Sequence, residues 1–364
     1  MKKILCLILA VLLMLSLCSC TLEDLLNIRS PKDYTLLGDA KLVVHFIDVG
    51  QGDSTLLESN GEFVLIDAGE RDCGNTVVDY IESRGCDELK YIIATHPDSD
   101  HVGGLKTVIE TIDAENFITS ETDKSTSTWL NVLHAVDEYD INYIDAEAGE
   151  TYSFGEASFT VLAPLSDSYN NYNNYSVVVK AECDDISFLL TGDAEKESED
   201  QMLASGEDLS ADVLKCGHHG SSSSTSDAFL SAVHPAFAII SCGENNDYGH
   251  PHRETVAKLT NRGIAYYRTD TLGTIVAATD GKGISILSHG GTQVEAETIS
   301  KEDLNNSASA SEAAFPYVGN KSSKVYHRYT CSGVKTMNDK NKIYFDTKEQ
   351  AVQKGYAPCS LCNP

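Results

Sequence analysis

From Lys41 onward the chain alternates short apolar runs with polar turns. LVVHFIDV, STLLES, FVLIDAG and YIIAT are rich in β-branched and aromatic residues and bounded by Gly, Asp, Asn and Ser, the pattern of buried strands. ASFTVLA, YSVVVKAE, ISFLLTG, ADVLKC and AFAIIS repeat it further along, and similar alternation continues to about Leu287. Between these runs the apolar spacing lengthens, predicting helices around 75–83, 127–138, 195–204, 225–233 and 253–262. Strands alternating with helices across 41–289 predict a layered α/β domain.

The two ends read differently. MKKILCLILAVLLMLSLCSC sets two lysines before an apolar stretch and then small residues, the order of a secretory signal over 1–20. Its Leu17-Cys18-Ser19-Cys20 looks like a bacterial lipobox, which implies lipidation of Cys20 and an extracytoplasmic protein held at the outer face of the cytoplasmic membrane. Residues 21–40 read as a tether. Residues 290–314, rich in Gly, Ser, Ala, Asn and Glu, have no apolar period and read as a linker before a compact module at 315–364.

Charge complicates any polyanionic partner. With 27 Lys+Arg against 55 Asp+Glu the formal net charge is -28, and such a surface repels bulk nucleic acid and anionic lipid. The imbalance is uneven: the module carries Lys and Arg at 321, 324, 328, 335, 340, 342, 348 and 354 against Asp339, Asp346 and Glu349. A polyanion must therefore be drawn in locally, by cations or by this basic face. The cysteines are equally uneven. Cys183, Cys216 and Cys242 sit in or beside apolar runs as small buried hydrophobes. Cys73 and Cys86 leave open a disulfide.

The chemistry concentrates after YIIAT, where Thr95-His96-Pro97-Asp98-Ser99-Asp100-His101-Val102-Gly103-Gly104 places four potential ligands in six residues. Imidazoles and carboxylates on one tight loop can converge on adjacent cations, and the glycines let the next helix start close by. The loop resembles the His-x-His-x-Asp-His motif of the metallo-β-lactamase superfamily, with Asp98 in place of the second histidine. FIDVGQGDS, VLIDAG, LLTGDAE, KCGHHGSSSSTS and YGHPHRETV follow in the order seen in ComEC-type competence proteins, and in choline-phosphate esterases of similar pattern.

That resemblance implies a four-layer αββα sandwich and two divalent ions, zinc or manganese. It implies His96 and Asp98 on one ion, Asp100 and His101 on the other, and Asp193 bridging both. His219 and His250 complete the set, while His218 and His252 face substrate; within each pair the choice stays open. Asp67 would orient ligands from behind. Asn173, Asn174 and Ser176 are pocket candidates, and His134 lies on a predicted helix too early in the chain to ligate. Asp100, Asp193, His218 and His252 are then the catalytic candidates. Two ions about 3.5–4 Å apart would hold a bridging water as hydroxide at neutral pH, so phosphodiester hydrolysis, of DNA foremost, is the expected reaction.

In the module, His327 and Cys331 precede Cys359 and Cys362. A Cys-x-x-Cys knuckle with a second two-ligand turn is the arrangement of a structural zinc, which would supply folding free energy to so small a core. The stretch resembles the zinc-binding domain of the Ada DNA-repair protein, with His327 where Ada has its methyl-accepting cysteine; imidazole cannot accept a methyl group as a thiolate does. The expected function is a surface-tethered two-metal phosphodiesterase or nuclease. The alternatives are a choline-phosphate or teichoic-type phosphodiesterase and a non-enzymatic DNA-binding scaffold.

Overall fold

The computed structural model describes residues 40–289, 294, 317–328, 331–335, 337–338, 341–345 and 348–362. Apart from Ala40 and Val294, the predicted signal, tether and linker lie outside these residues. Strands β1 (Leu42–Phe46), β2 (Thr55–Ser59), β3 (Glu62–Ile66), β4 (Glu88–Ala94), β5 (Asp113–Thr119) and β6 (Asn142–Asp145) belong to a first sheet. The second sheet holds β7 (Thr151–Phe154), β8 (Ala157–Ala163), β9 (Val178–Cys183), β10 (Ile186–Leu190), β11 (Val213–Lys215), β12 (Phe237–Ile240) and β13 (Ala265–Arg268). Strands β14 (Ile275–Thr279) and β15 (Ile284–Ser288) return to the first, giving the order β15-β14-β1-β2-β3-β4-β5-β6 against β13-β12-β11-β10-β9-β8-β7.

Strand alternation explains the layers. Leu42, Val44 and Phe46 of β1 point between the sheets, where they meet Phe159, Val161, Phe188 and Ile239 of the second sheet. The other face of the first sheet is covered by helices Gly74–Ser83 and Ser127–Glu138, through Val77, Ile81, Trp129 and Val132. The outer face of the second is covered by Lys196–Ser205, Asp227–Val233 and Arg253–Arg262, through Met202, Phe229, Leu230, Val256 and Leu259. These are the four layers of an αββα sandwich.

Cys183, Cys216 and Cys242 are buried in these cores, as expected. The Cys73–Cys86 disulfide left open by the sequence is not formed. Both are free thiols, with Cys73 Sγ donating to the Val49 carbonyl at 3.2 Å and Cys86 Sγ to that of Glu88 at 3.3 Å.

The glycines after the ligand loop are needed where they stand. A Cβ on Gly103 would lie 2.8 Å from the Glu70 carbonyl carbon, and one on Gly104 3.0 Å from Gly74 Cα. Only glycine lets helix Leu105–Ile109 start against the neighbouring helix. In the C-terminal module, β16 (Tyr317–Asn320), β17 (Val325–Arg328), β18 (Lys342–Phe345) and β19 (Ala357–Pro358) form a small sheet in the order β18-β16-β17-β19. Tyr326, Ile343, Phe345, Ala351 and Tyr356 are its core.

Candidate functional site

β3 and β4 run parallel in the first sheet, and β10, β11 and β12 in the second. The loops leaving the carboxyl ends of these strands carry the polar motifs, the usual place for a site in such sheets. Asp67 follows β3 at φ 59°. Its carboxylate accepts from the Thr95 backbone N–H at 2.9 Å, the Thr95 hydroxyl at 2.6 Å and His101 Nδ1 at 2.7 Å. Nδ1 of His101 therefore carries a proton, and Nε2, 3.2 Å from Asp193 Oδ1, is the nitrogen a cation would take. Against its burial, Asp193 and Asp67 raise the imidazole well above the usual histidine range when no cation is there.

His219 is set the same way. Its Nδ1 donates to the Ser241 carbonyl at 3.0 Å, while Nε2 lies 3.3 Å from Asp100 Oδ2 and 3.5 Å from Asp193 Oδ2. His96 packs beside His101, with ring centroids 4.2 Å apart, and turns Nδ1 toward Thr95 Oγ1 at 3.2 Å. The loop bearing His218 and His219 is strained: both sit in the left-handed region, at φ 50° and 52°. Each such residue costs on the order of 1–3 kcal/mol and persists only where its surroundings enforce it. Here the His218 N–H bonds the Gly192 carbonyl at 3.2 Å, and Ser224 Oγ donates to the Gly217 carbonyl at 2.6 Å. The buried Glu199 carboxylate holds the Thr225 and Ser226 N–H groups.

Five buried polar atoms in this region have no hydrogen-bond partner: Nε2 of His96, His101 and His219, and one carboxylate oxygen each of Asp53 and Asp193. Ligand atoms of Asp53, His101, Asp193 and His219 lie within 4.8 Å of one another. Leaving so many buried groups unpaired would cost about 1–3 kcal/mol each, so their convergence fits a cation. The electrostatics agree. Burial, and then neighbouring His101, push the His96 imidazole down to about 4, so it is a neutral donor at pH 7. Asp193 is desolvated by its complete burial, yet His219 and His101 hold its carboxyl well below the ordinary range.

Other predicted residues line a cavity of 660 Å³ above this cluster. Asp98 lines it, but its carboxylate is paired with Lys124. His250 lies 5.3 Å from the His218 ring and 6.0 Å from that of His219, and burial pushes it down to about 2. His252 accepts the Ser222 N–H on Nδ1 at 2.8 Å and turns Nε2 to the Tyr248 carbonyl at 3.3 Å, so both nitrogens brace the loop. His218 faces the cavity with Nδ1 on Glu195 Oε1 at 3.0 Å and Nε2 3.7 Å from Asp193 Oδ2. Asn173 donates to the same Glu195 oxygen at 3.1 Å, Asn174 Oδ1 accepts the Glu195 N–H at 3.1 Å, and Ser176 Oγ accepts that of Asp193 at 3.0 Å. His134 is exposed on its helix and pairs with Glu138.

Sequence reasoning missed Asp53, Lys215 and Glu195. Lys215 ends an apolar strand fully buried, donates to the Gly192 carbonyl at 2.8 Å and forms an ion pair with Asp53 beneath His101 and His219. A lysine closing an apolar strand was the available signal. In the C-terminal module, His327, Cys331, Cys359 and Cys362 bring four ligand atoms within 4.8 Å of one another, and His327 Nδ1 has no hydrogen-bond partner. The backbone N–H groups of Arg328 and Leu361 reach Cys362 Sγ and Cys359 Sγ at 3.3 and 3.4 Å, the donors a zinc-bound thiolate needs.

Comparison with known proteins agrees with this geometry. Residues 47–244 match the metallo-beta-lactamase superfamily, and residues 302–364 match the metal binding domain of Ada. ComE operon protein 3 of Bacillus subtilis is 32% identical over 250 residues, covering 64% of this chain and 32% of that protein. Recombination protein 2 of Haemophilus influenzae is 31% identical over 238 residues, covering 64% of this chain and 28% of that one. The chain thus spans about a third of the length of these relatives. Among solved structures, the metallo-beta-lactamase fold protein YhfI from Bacillus subtilis aligns at 11% identity and a TM-score of 0.47, covering 66% of this chain and 100% of that one. The chain belongs to the metallo-beta-lactamase superfamily: it is a metal-dependent hydrolase similar to competence proteins of the ComEC type, with an Ada-like zinc-binding domain at its C-terminus.

Proposed function

We propose that this hydrolase is an extracytoplasmic phosphodiesterase that cleaves DNA with two divalent ions, zinc or manganese, while anchored to the membrane through lipidated Cys20. The observation that carries the reading is the convergence of ligand atoms of His101, Asp193 and His219, with orphaned His96 beside them, where Asp193 and His219 reach a polar cavity. His96, Asp100, His101, Asp193, His219 and His250 are the donors to hold the ions, with Asp98 at the rim. Bound there, the ions would supply a hydroxide at neutral pH and neutralise an anionic ester.

The chain's own groups do the rest. Asp67 and the Ser241 carbonyl hold Nδ1 of His101 and His219, so that each turns Nε2 toward Asp193. Glu195 holds His218 at the cavity wall, placed to return a proton to the leaving-group oxygen. The competence-protein relatives and the basic C-terminal face favour DNA as the polyanion.

The test is metal-free protein supplied with manganese or zinc, DNA and bis(p-nitrophenyl) phosphate. Metal-dependent turnover of both, abolished by Asp193→Ala, is expected. Turnover that survives Asp193→Ala, or none on either ester, would refute the enzyme reading. For the anchor, Cys20→Ala is expected to move the protein from the membrane fraction to the medium.

A further inference from the structure

The C-terminal module touches the catalytic domain at Asp247 and Tyr248. Lys354 Nζ lies 3.0 Å from Asp247 Oδ1, and Lys321 Nζ stands 4.2 Å from the centroid of the Tyr248 ring. The same ring stacks on His250, with centroids 5.6 Å apart and planes inclined by 17°. His250 is itself 5.3 Å from the His218 ring. Beyond this contact, Met337 and Asn338 of the module line the same 660 Å³ cavity as Asp193, His218 and His219.

We propose that the zinc module is a wall of the catalytic cleft, which sets the position of His250 through Tyr248 and narrows the cleft against long substrates. Tyr248 is then a positioning residue, in contact with a lysine of one domain and a histidine of the other. The module's zinc serves the site indirectly, by fixing the turn that presents Met337 and Asn338. The docking stands independently of the phosphodiesterase reading; its effect on substrate choice rests on that reading.

The ion pair is exposed and the cation–π contact partly so, and together they are worth on the order of one decade in the docking equilibrium. The experiment is hydrogen exchange on the full zinc-loaded chain, followed at segment 244–250. Lys321→Glu with Lys354→Glu is expected to raise exchange there about tenfold while the zinc content is retained. Asp247→Lys, which alters the contact from the other side and leaves the module untouched, is expected to do the same, and Asp247→Lys combined with Lys354→Glu to restore protection.

Unchanged exchange in variants that keep their zinc overturns the docking. A second arm compares KM for a twelve-nucleotide strand with KM for bis(p-nitrophenyl) phosphate. The ratio is expected to fall severalfold when the wall is released, and an unmoved ratio overturns the steric role. Should no ester be turned over at all, the exchange arm still decides whether the module docks.

Discussion

Asp67 Oδ2 accepts a hydrogen bond from His101 Nδ1 at 2.7 Å, and both residues are almost wholly buried. The pair decides which nitrogen of His101 is free to bind. Asp67→Asn keeps the shape but removes the charge that holds the proton on Nδ1. Partners of this kind typically contribute 10–100-fold in metal affinity. Asp67→Asn is therefore expected to weaken metal binding by that factor with the fold intact. Titration of metal-free protein followed by calorimetry measures it, and equal affinity in the variant would remove Asp67 from this role.

Lys215 and Asp53 make a charged pair beneath the cluster with almost no solvent contact. The pair adds little beyond its desolvation cost, but breaking it strands a buried charge. Lys215→Met is expected to destabilise the metal-free protein by about 3–5 kcal/mol. Adding Asp53→Asn should recover much of that loss, and urea unfolding of the single and double variants measures both. A double variant no better than Lys215→Met would show that Lys215 acts by packing alone.

Much of this was legible in the chain. Helices 127–138 and 253–262 occupy the predicted residues because their apolar spacing is helical and each is stopped by a turn; the second ends at Gly263 in the left-handed region. The site loops were legible because imidazole and carboxylate groups crowd where no core requires them. Edge strands were not. Asn142–Asp145 and Thr151–Phe154 are short and mostly exposed, so no apolar period marks them. Asp53 and Lys215 were missed for a different reason: their partnership joins a loop of one sheet to a strand of the other, across a sequence separation no local pattern spans.

His45 gives the fold a pH dependence of its own. Burial lowers its pKa, against the pull of the Glu58 carboxylate 3.4 Å away. An unfolded histidine titrates near ~6.5, so the unfolded chain takes up this proton first as pH falls. The neutral buried form is therefore fully stabilising above ~6.5, and stability is lost as pH drops from there toward the lower folded value. His45→Gln, which can still meet the Tyr80 hydroxyl, is expected to flatten the slope of unfolding free energy below pH ~6.5. An unchanged slope would assign that acid sensitivity to other groups.

The C-terminal module should depend on its zinc. Its two small apolar clusters cannot hold a fold of this size alone. Cys359→Ser is expected to remove one equivalent of zinc and abolish cooperative melting of the module, while the αββα domain keeps its own transition. Calorimetry with metal analysis tests this, and a variant that melts normally without zinc would make the four residues a fortuitous cluster.

His218 lies close enough to Asp193 to be taken for a ligand, at 3.7 Å, but its other nitrogen is held by Glu195. Glu195 Oε1 also accepts from Ser223 Oγ and Asn173 Nδ2, both at 3.1 Å, so the carboxylate is fixed before it fixes His218. A held second nitrogen also marks His101 and His219. What sets His218 apart is its partly exposed side chain on the cavity wall, with no orphaned buried nitrogen, and that suits a proton donor. Removing a general acid typically costs 10²–10⁴-fold in rate. His218→Ala is expected to lower kcat by about that factor with metal content unchanged, and Glu195→Gln to lower it less, because Gln can still accept from Nδ1. An ester whose leaving group needs no proton separates the roles: p-nitrophenolate departs unaided, so the loss should shrink on bis(p-nitrophenyl) phosphate. Loss of a metal equivalent in His218→Ala would make His218 a ligand instead.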